Sequence, residues 1–261
     1  MTPYKTLLFE IKNQVATVTL NRPELHNAFN EELILELTQA FQDIAQNSEV
    51  RVALLTGAGA SFSAGGDLNW MKRSAAATRE ENIQEAKKLH RMLTSIAQCP
   101  KPVLAKVNGT AMGGGVGLTS AVDIAFAYKN ALFALSEVRL GLAAAVISPF
   151  VIRKIGAAKF RELALTAERF SAGQAREIGL VQQSGDPEQI DELIEVKIAA
   201  IKAGGPEALA ATKKLIDEVQ FLSLDQAQEI TPVYLAERRA SKEGQEGIAA
   251  FLEKRKPNWV S

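Results

Sequence analysis

Cysteine is almost absent from this 261-residue chain: Cys99 stands alone, so no intramolecular disulfide can form. Histidine is nearly as scarce, and His26 and His90 with a single cysteine argue against a zinc site. Net charge is absent too. Thirty Lys and Arg balance thirty Asp and Glu, so no overall field draws the chain to nucleic acid or to an anionic membrane. An anionic ligand would have to meet local charges and helix ends. No apolar run is long enough to span a membrane. The residues up to Lys12 show no cleavage-like leader, only the alternation Leu7, Phe9, Ile11 expected of a strand. With 47% hydrophobic residues, the chain can still build a sizeable core. These absences leave a globular protein, expected in the cytoplasm, with no metal.

Residues 6–11 and 14–20 read as two strands split by a turn at Lys12-Asn13, and Asn21-Arg22-Pro23 ends the pattern. Asn30 can cap a helix that begins with Glu31 and Glu32 and runs to about residue 44. Segments 50–56 and 103–107 are apolar runs of the kind found in strands buried on both faces. Between them a helical pattern covers 78–97. Gly113-Gly114-Gly115 opens a helix to about Ala121, and 123–128 and 131–135 are short strands around Lys129-Asn130. From Val146 on, helices are expected near 146–155, 157–166, 172–178, 187–203, 206–221, 224–240 and 243–254. Gly204-Gly205-Pro206 is the clearest break, dividing a core region, 1–203, from a helical region, 204–261. The class is α/β, built of strand–strand–helix units with a helical C-terminal part.

Three segments could carry chemistry. Ser61 to Leu68 follows a buried strand. Its Gly65 and Gly66 would let backbone approach a ligand, and Asp67 would cap the next helix, although alone they are explained as well by a turn. Gly113-Gly114-Gly115 stands at a helix start, where each glycine is roughly 1 kcal/mol worse than alanine. An anion or oxyanion at the helix N-terminus would account for that, and so would tight helix packing. No Gly-Lys-Ser/Thr follows, which excludes a P-loop, and the spacing excludes a dinucleotide fingerprint. Glu137 either continues the buried face of Phe133 and Leu135, with a raised pKa and an acid/base role, or pairs with Arg139 in solvent.

Taken together, these motifs resemble the enoyl-CoA hydratase/isomerase (crotonase) family over nearly the whole chain. Val18-Thr19-Leu20-Asn21-Arg22-Pro23 with His26-Asn27-Ala28 looks like the opening signature. Phe62 to Leu68 resembles the first oxyanion-hole turn, and Lys101-Pro102 to Gly115 the second. Ser136 to Leu142 resembles the segment with a catalytic glutamate, and Phe251 to Pro257 the terminal helix. The resemblance implies a crotonase-like spiral of ββα units with a helical C-terminal trimerisation region, and a homotrimer or a hexamer as a dimer of trimers. It implies that the amides of Gly66 and Gly114 hold the thioester oxygen, each worth roughly 3–4 kcal/mol to the enolate, with Gly65, Asp67, Leu68 and Gly113 beside them. It implies no cofactor, and it implies that the adenine end of coenzyme A, which is part of the substrate, lies near His26, Ala28 and Ala64. Phe251 and Lys254 would reach it from a neighbouring subunit.

One position departs from the family pattern. Two-glutamate hydratases read Gly-Gly-Gly-x-Glu, and here Gly117 follows Val116, leaving Glu137 as the matching carboxylate. Asp67 to Arg73 and Val146-Ile147-Ser148-Pro149 resemble the branch that hydrates branched glutaconyl-type CoA esters in leucine or acyclic-terpene breakdown, where Lys72 or Arg73 could meet a distal carboxylate. Hydration of a 2-enoyl-CoA is therefore the leading expectation. Double-bond isomerisation by Glu137 alone is the alternative, and a non-catalytic acyl-CoA-binding or RNA-binding relative comes third. Neutral charge and the lack of an aromatic–basic pattern argue against RNA.

Overall fold

The computed structural model describes residues 4–260, and alternation near the N-terminus resolves into a hairpin. Ala16, Val18 and Leu20 turn into the core while the residues between them stay partly exposed, the period-two pattern of a half-buried strand. The strands are β1 (Leu7–Lys12), β2 (Val15–Leu20), β3 (Val52–Gly57), β4 (Ser61–Ser63) and β5 (Val103–Val107). They continue as β6 (Thr110–Met112), β7 (Ile124–Tyr128), β8 (Leu132–Ala134), β9 (Phe170–Ser171) and β10 (Gln183–Gly185). Two sheets result. The larger has the order β1-β2-β3-β5-β7-β10, parallel except for the β1–β2 hairpin, and the smaller has the order β4-β6-β8-β9.

Helices follow pairs of strands. α1 (Glu31–Gln46) is capped by the Asn30 side chain, which accepts from Leu33 N, and buries Leu33, Leu37, Phe41 and Ile44. α2 (Leu68–Ala76) and α3 (Arg79–Ala97) follow β3 and β4, and a Thr78–Glu81 capping box starts α3. α4 (Gly114–Ala121) follows β5 and β6, and α5 (Ser148–Thr166) follows β7 and β8. From β3 on, each ββα turn adds one strand to each sheet, the spiral that the strand–strand–helix pattern implies.

The remaining helices are α6 (Ala172–Glu177), α7 (Pro187–Ala203), α8 (Pro206–Val219), α9 (Leu224–Ala227), α10 (Thr231–Ala240) and α11 (Lys242–Leu252). Two expectations change here. The single helix expected over 224–240 is broken, because Pro232 near the start of α10 has no N–H to continue a preceding helix. The segment expected from 146 starts later, at Ser148, while the division expected between 155 and 157 is present: Gly156, with φ 77° and ψ 157°, is non-helical and separates α5 into two helical stretches.

The C-terminal helices are tied to the sheets by one buried cation. Arg51, at the start of β3, donates to Lys202 O, Gly204 O and Trp259 O. Glu243 of α11 accepts from Glu207 N and Ala208 N and so caps α8 from a distance. Replacing Arg51 by leucine strands those carbonyls in a buried setting. The expected cost is about 2–3 kcal/mol, read as a lower urea midpoint at an unchanged slope.

Candidate active site

Three sequence segments converge because the strands before them are neighbours. β4, β6 and β8 run parallel and adjacent, so the chain leaves their C-terminal ends on the same side. Gly65-Gly66 follow β4, Gly113-Gly114 follow β6, and Glu137 follows β8. Ligand sites of open parallel sheets gather at such ends.

The first turn is held by charge. Asp67 Oδ1 accepts from Asn69 N at 2.8 Å and Trp70 N at 3.2 Å, capping α2. Its Oδ2 accepts from the Arg22 guanidinium at 2.8 Å, in a nearly buried ion pair. Arg22 also donates to Ala28 O. Burial by itself would raise the Asp67 carboxyl, but the Arg22 bond and the two amides outweigh it and hold the group below the usual range. Gly65 has φ 86°, and a Cβ there would stand 2.9 Å from Met112 O, against the second turn.

Phe29 braces both turns. Its N–H donates to Gly65 O at 2.6 Å, and its carbonyl accepts from Asp67 N at 2.8 Å. Its buried ring lies against the second turn, where a Cβ on Gly114 would come within 2.5 Å of it. Gly113, with φ 47°, turns the chain into α4. Among the described residues no acceptor takes the N–H of Gly66 or of Gly114. Gly66 is exposed, Gly114 is half-buried, and Gly114 opens α4, whose N-terminal end is electropositive.

Glu137 reaches the same place by a different route from the expected one. The strand has ended, and a short 3₁₀ turn (Glu137–Leu140) starts at this residue. No Glu137–Arg139 ion pair forms among the described residues. One carboxylate oxygen, Oε1, faces Gly113, 2.9 Å from where a Cβ there would stand, and Oε2 is buried with no hydrogen-bond partner. Desolvation raises its pKa above the ordinary value. A carboxyl so placed can take or give a proton beside the two free amides.

A cavity of ≈ 390 Å³ opens in front of these groups. Ala64, Gly65, Gly66, Leu68, Gly113, Gly114 and Glu137 line it, and among the described residues Glu137 is the one titratable group in its wall. Asp67 lies outside the lining, in the ion pair described above. His26 and Ala28 are also outside it: His26 Nδ1 is 2.9 Å from Ser61 Oγ, and Ala28 is buried. Phe251 and Lys254 lie exposed on and just after α11, and neither lines the cavity. Sequence reasoning missed Phe29, which by itself looks like any core aromatic, and the role of Arg22, visible only as part of the Asn21-Arg22-Pro23 motif. Lys72 and Arg73 are exposed on α2.

A family profile described as enoyl-CoA hydratase/isomerase matches residues 10–261. The crystal structure of an enoyl-CoA hydratase from Shewanella pealeana superposes with a TM-score of 0.95 at 38% identity, covering 98% of this chain and 96% of that one. The crotonyl-CoA hydratase of Syntrophomonas wolfei is 32% identical over 99% of each chain. The peroxisomal Delta(3,5)-Delta(2,4)-dienoyl-CoA isomerase of Arabidopsis thaliana is 31% identical over 100% of this chain and 99% of its own.

The Arg22–Asp67 pair is open to direct test. Asp67→Ala leaves a buried guanidinium unpaired and is expected to cost about 3–5 kcal/mol in denaturant unfolding. The double variant Arg22→Met/Asp67→Leu, which removes both charges, should cost markedly less.

Proposed function

The chain belongs to the enoyl-CoA hydratase/isomerase family, and from that premise we propose that it hydrates a 2-enoyl-CoA thioester with Glu137 as acid and base. The observation that carries this reading is the buried, unpartnered Oε2 of Glu137 beside the free Gly114 amide. As water attacks Cβ, the Glu137 carboxylate takes its proton and the π electrons move to the thioester oxygen. The Gly66 and Gly114 N–H groups donate to that oxygen, where preorganised donors are worth roughly 3–4 kcal/mol each. Protonated Glu137 then delivers the proton to Cα, so water is added across the double bond and the carboxylate is restored. Coenzyme A enters as part of the substrate, and no separate cofactor is needed.

The acyl group in this reading is a branched one of the glutaconyl type. Trp70, Met71, Leu89, Leu142 and Val146 make the cavity wall apolar, which suits branching near the thioester. Among the described residues that wall holds no cation, so a distal carboxylate would extend outward to Lys72 or Arg73. The adenine end lies toward His26, Ala28 and Ala64, with Phe251 and Lys254 supplied by a neighbouring subunit of a homotrimer or a hexamer. Apolar residues left exposed on the C-terminal helices, among them Leu224, Phe251 and Leu252, support that assembly. A role in leucine breakdown in the cytoplasm belongs to the same reading.

Double-bond isomerisation is the second reading, favoured by the side chain beyond Gly117. Ile147 fills that space, so among the described residues Glu137 is the single carboxylate of the cavity. Isomerisation needs one carboxylate, to move a proton from Cα to Cγ.

Turnover of 2-enoyl-CoAs in ¹⁸O-labelled water is expected to give labelled 3-hydroxyacyl-CoA. Rapid 3-to-2 conversion with no label in any product would replace hydration by isomerisation. Glu137→Gln should keep the melting temperature and lower kcat by about 10²–10⁴-fold. The base must be ionised, so kcat/KM should rise with pH through a pKa above the ordinary 4.5 of a glutamate, and that limb should vanish in Glu137→Gln.

A further inference from the structure

We propose that the seat Gly117 provides for Ile147 sets the depth of the cavity, and with it the longest acyl chain accepted, a claim that rests on the acyl-CoA reading above. Gly117 stands one turn along α4 from Gly113, and its N–H donates to Gly113 O at 3.0 Å. It does not itself line the cavity. Its empty side is covered by Ile147: a Cβ on Gly117 would be 2.5 Å from Ile147 Cγ2 and 3.1 Å from Ile147 Cβ. The next nearest atom is Leu93 Cδ1, at 3.8 Å. Ile147 is buried, and its other side forms part of the cavity wall.

The Ile147 backbone has little freedom to retreat. Its carbonyl accepts from Phe150 N at 3.1 Å and from Val151 N at 3.0 Å, which anchors the residue to the first turn of α5. A methyl group at position 117 therefore displaces the Ile147 side chain, and the space open to that side chain is the cavity. Removing the Ile147 side chain does the reverse and extends the cavity down to α4. Close-packed walls transmit volume changes of one methyl group. In an apolar pocket a methylene is worth about tenfold or more in discrimination. The Gly117–Ile147 contact is thus a specificity determinant that does not touch the reacting atoms.

The test compares kcat/KM for trans-2-decenoyl-CoA and crotonyl-CoA. Ile147→Ala is expected to raise the decenoyl-to-crotonyl ratio by about tenfold, and Gly117→Ala to lower it by about tenfold. The double variant Gly117→Ala/Ile147→Ala should return toward the parent ratio, a rescue that general loss of stability would not give. Should Gly117→Ala fail to fold, Ile147→Ala decides the matter alone. An unchanged ratio in a folded Ile147→Ala enzyme overturns the proposal. Calorimetric titration with saturated butyryl- and decanoyl-CoA reads the same ratio without turnover. Failure of the proposed reaction therefore remains distinguishable from failure of the cavity claim.

Discussion

The contact between Phe29 and the two glycine turns is the constraint on which the rest of the site depends. Phe29 is a single-residue bridge: its backbone pairs with Gly65 and Asp67, and its ring fills the place a side chain on Gly114 would need. The free amides of Gly66 and Gly114 therefore belong to one rigid unit. Behind it, Asn27 is fully buried and satisfied, accepting from Arg22 N and donating to Ala58 O and Ser61 O. Donors fixed in this way need no reorganisation as charge develops, which is what makes an oxyanion hole effective.

Electrostatics in the site is local. Arg22 and Asp67 neutralise one another beneath the first turn. The N-terminus of α4 adds a partial positive charge at the second, and among the described residues Glu137 is the one titratable side chain in the cavity wall. Its desolvation raises the pKa above the ordinary carboxylate value, which makes the carboxylate a better proton acceptor than one in solvent. A chain with no net charge can in this way present a directed field at one point.

Much of this was legible in the sequence, for physical reasons. Apolar runs at 50–56 and 103–107 announced the buried parallel strands, and Asn30 and Thr78 stand where caps belong. The glycine turns and Glu137 stood out as residues that secondary structure alone does not explain. The smaller sheet was less visible, because β4, β6, β8 and β9 have two or three residues each, too few for a period to show. Yet that sheet is what brings the three site segments together. The burial of Glu137 also lay beyond periodicity. Alternation left it either on the buried face of Phe133 and Leu135 or in solvent beside Arg139, whereas β8 ends at Ala134 and a 3₁₀ turn that Ser136 precedes, at φ −96° and ψ 3°, carries the buried carboxyl. The double role of Phe29 and the seat of Ile147 on Gly117 are contacts between distant residues, and no local pattern marks them.

The central claim is that the Gly66 and Gly114 amides polarise the thioester carbonyl. Infrared difference spectroscopy of a carbonyl-labelled acyl-CoA bound to the Glu137→Gln protein measures that polarisation without turnover. The C=O stretch is expected at lower frequency than in water, because two fixed donors outdo a mobile solvent. A stretch at or above its frequency in water would contradict the claim.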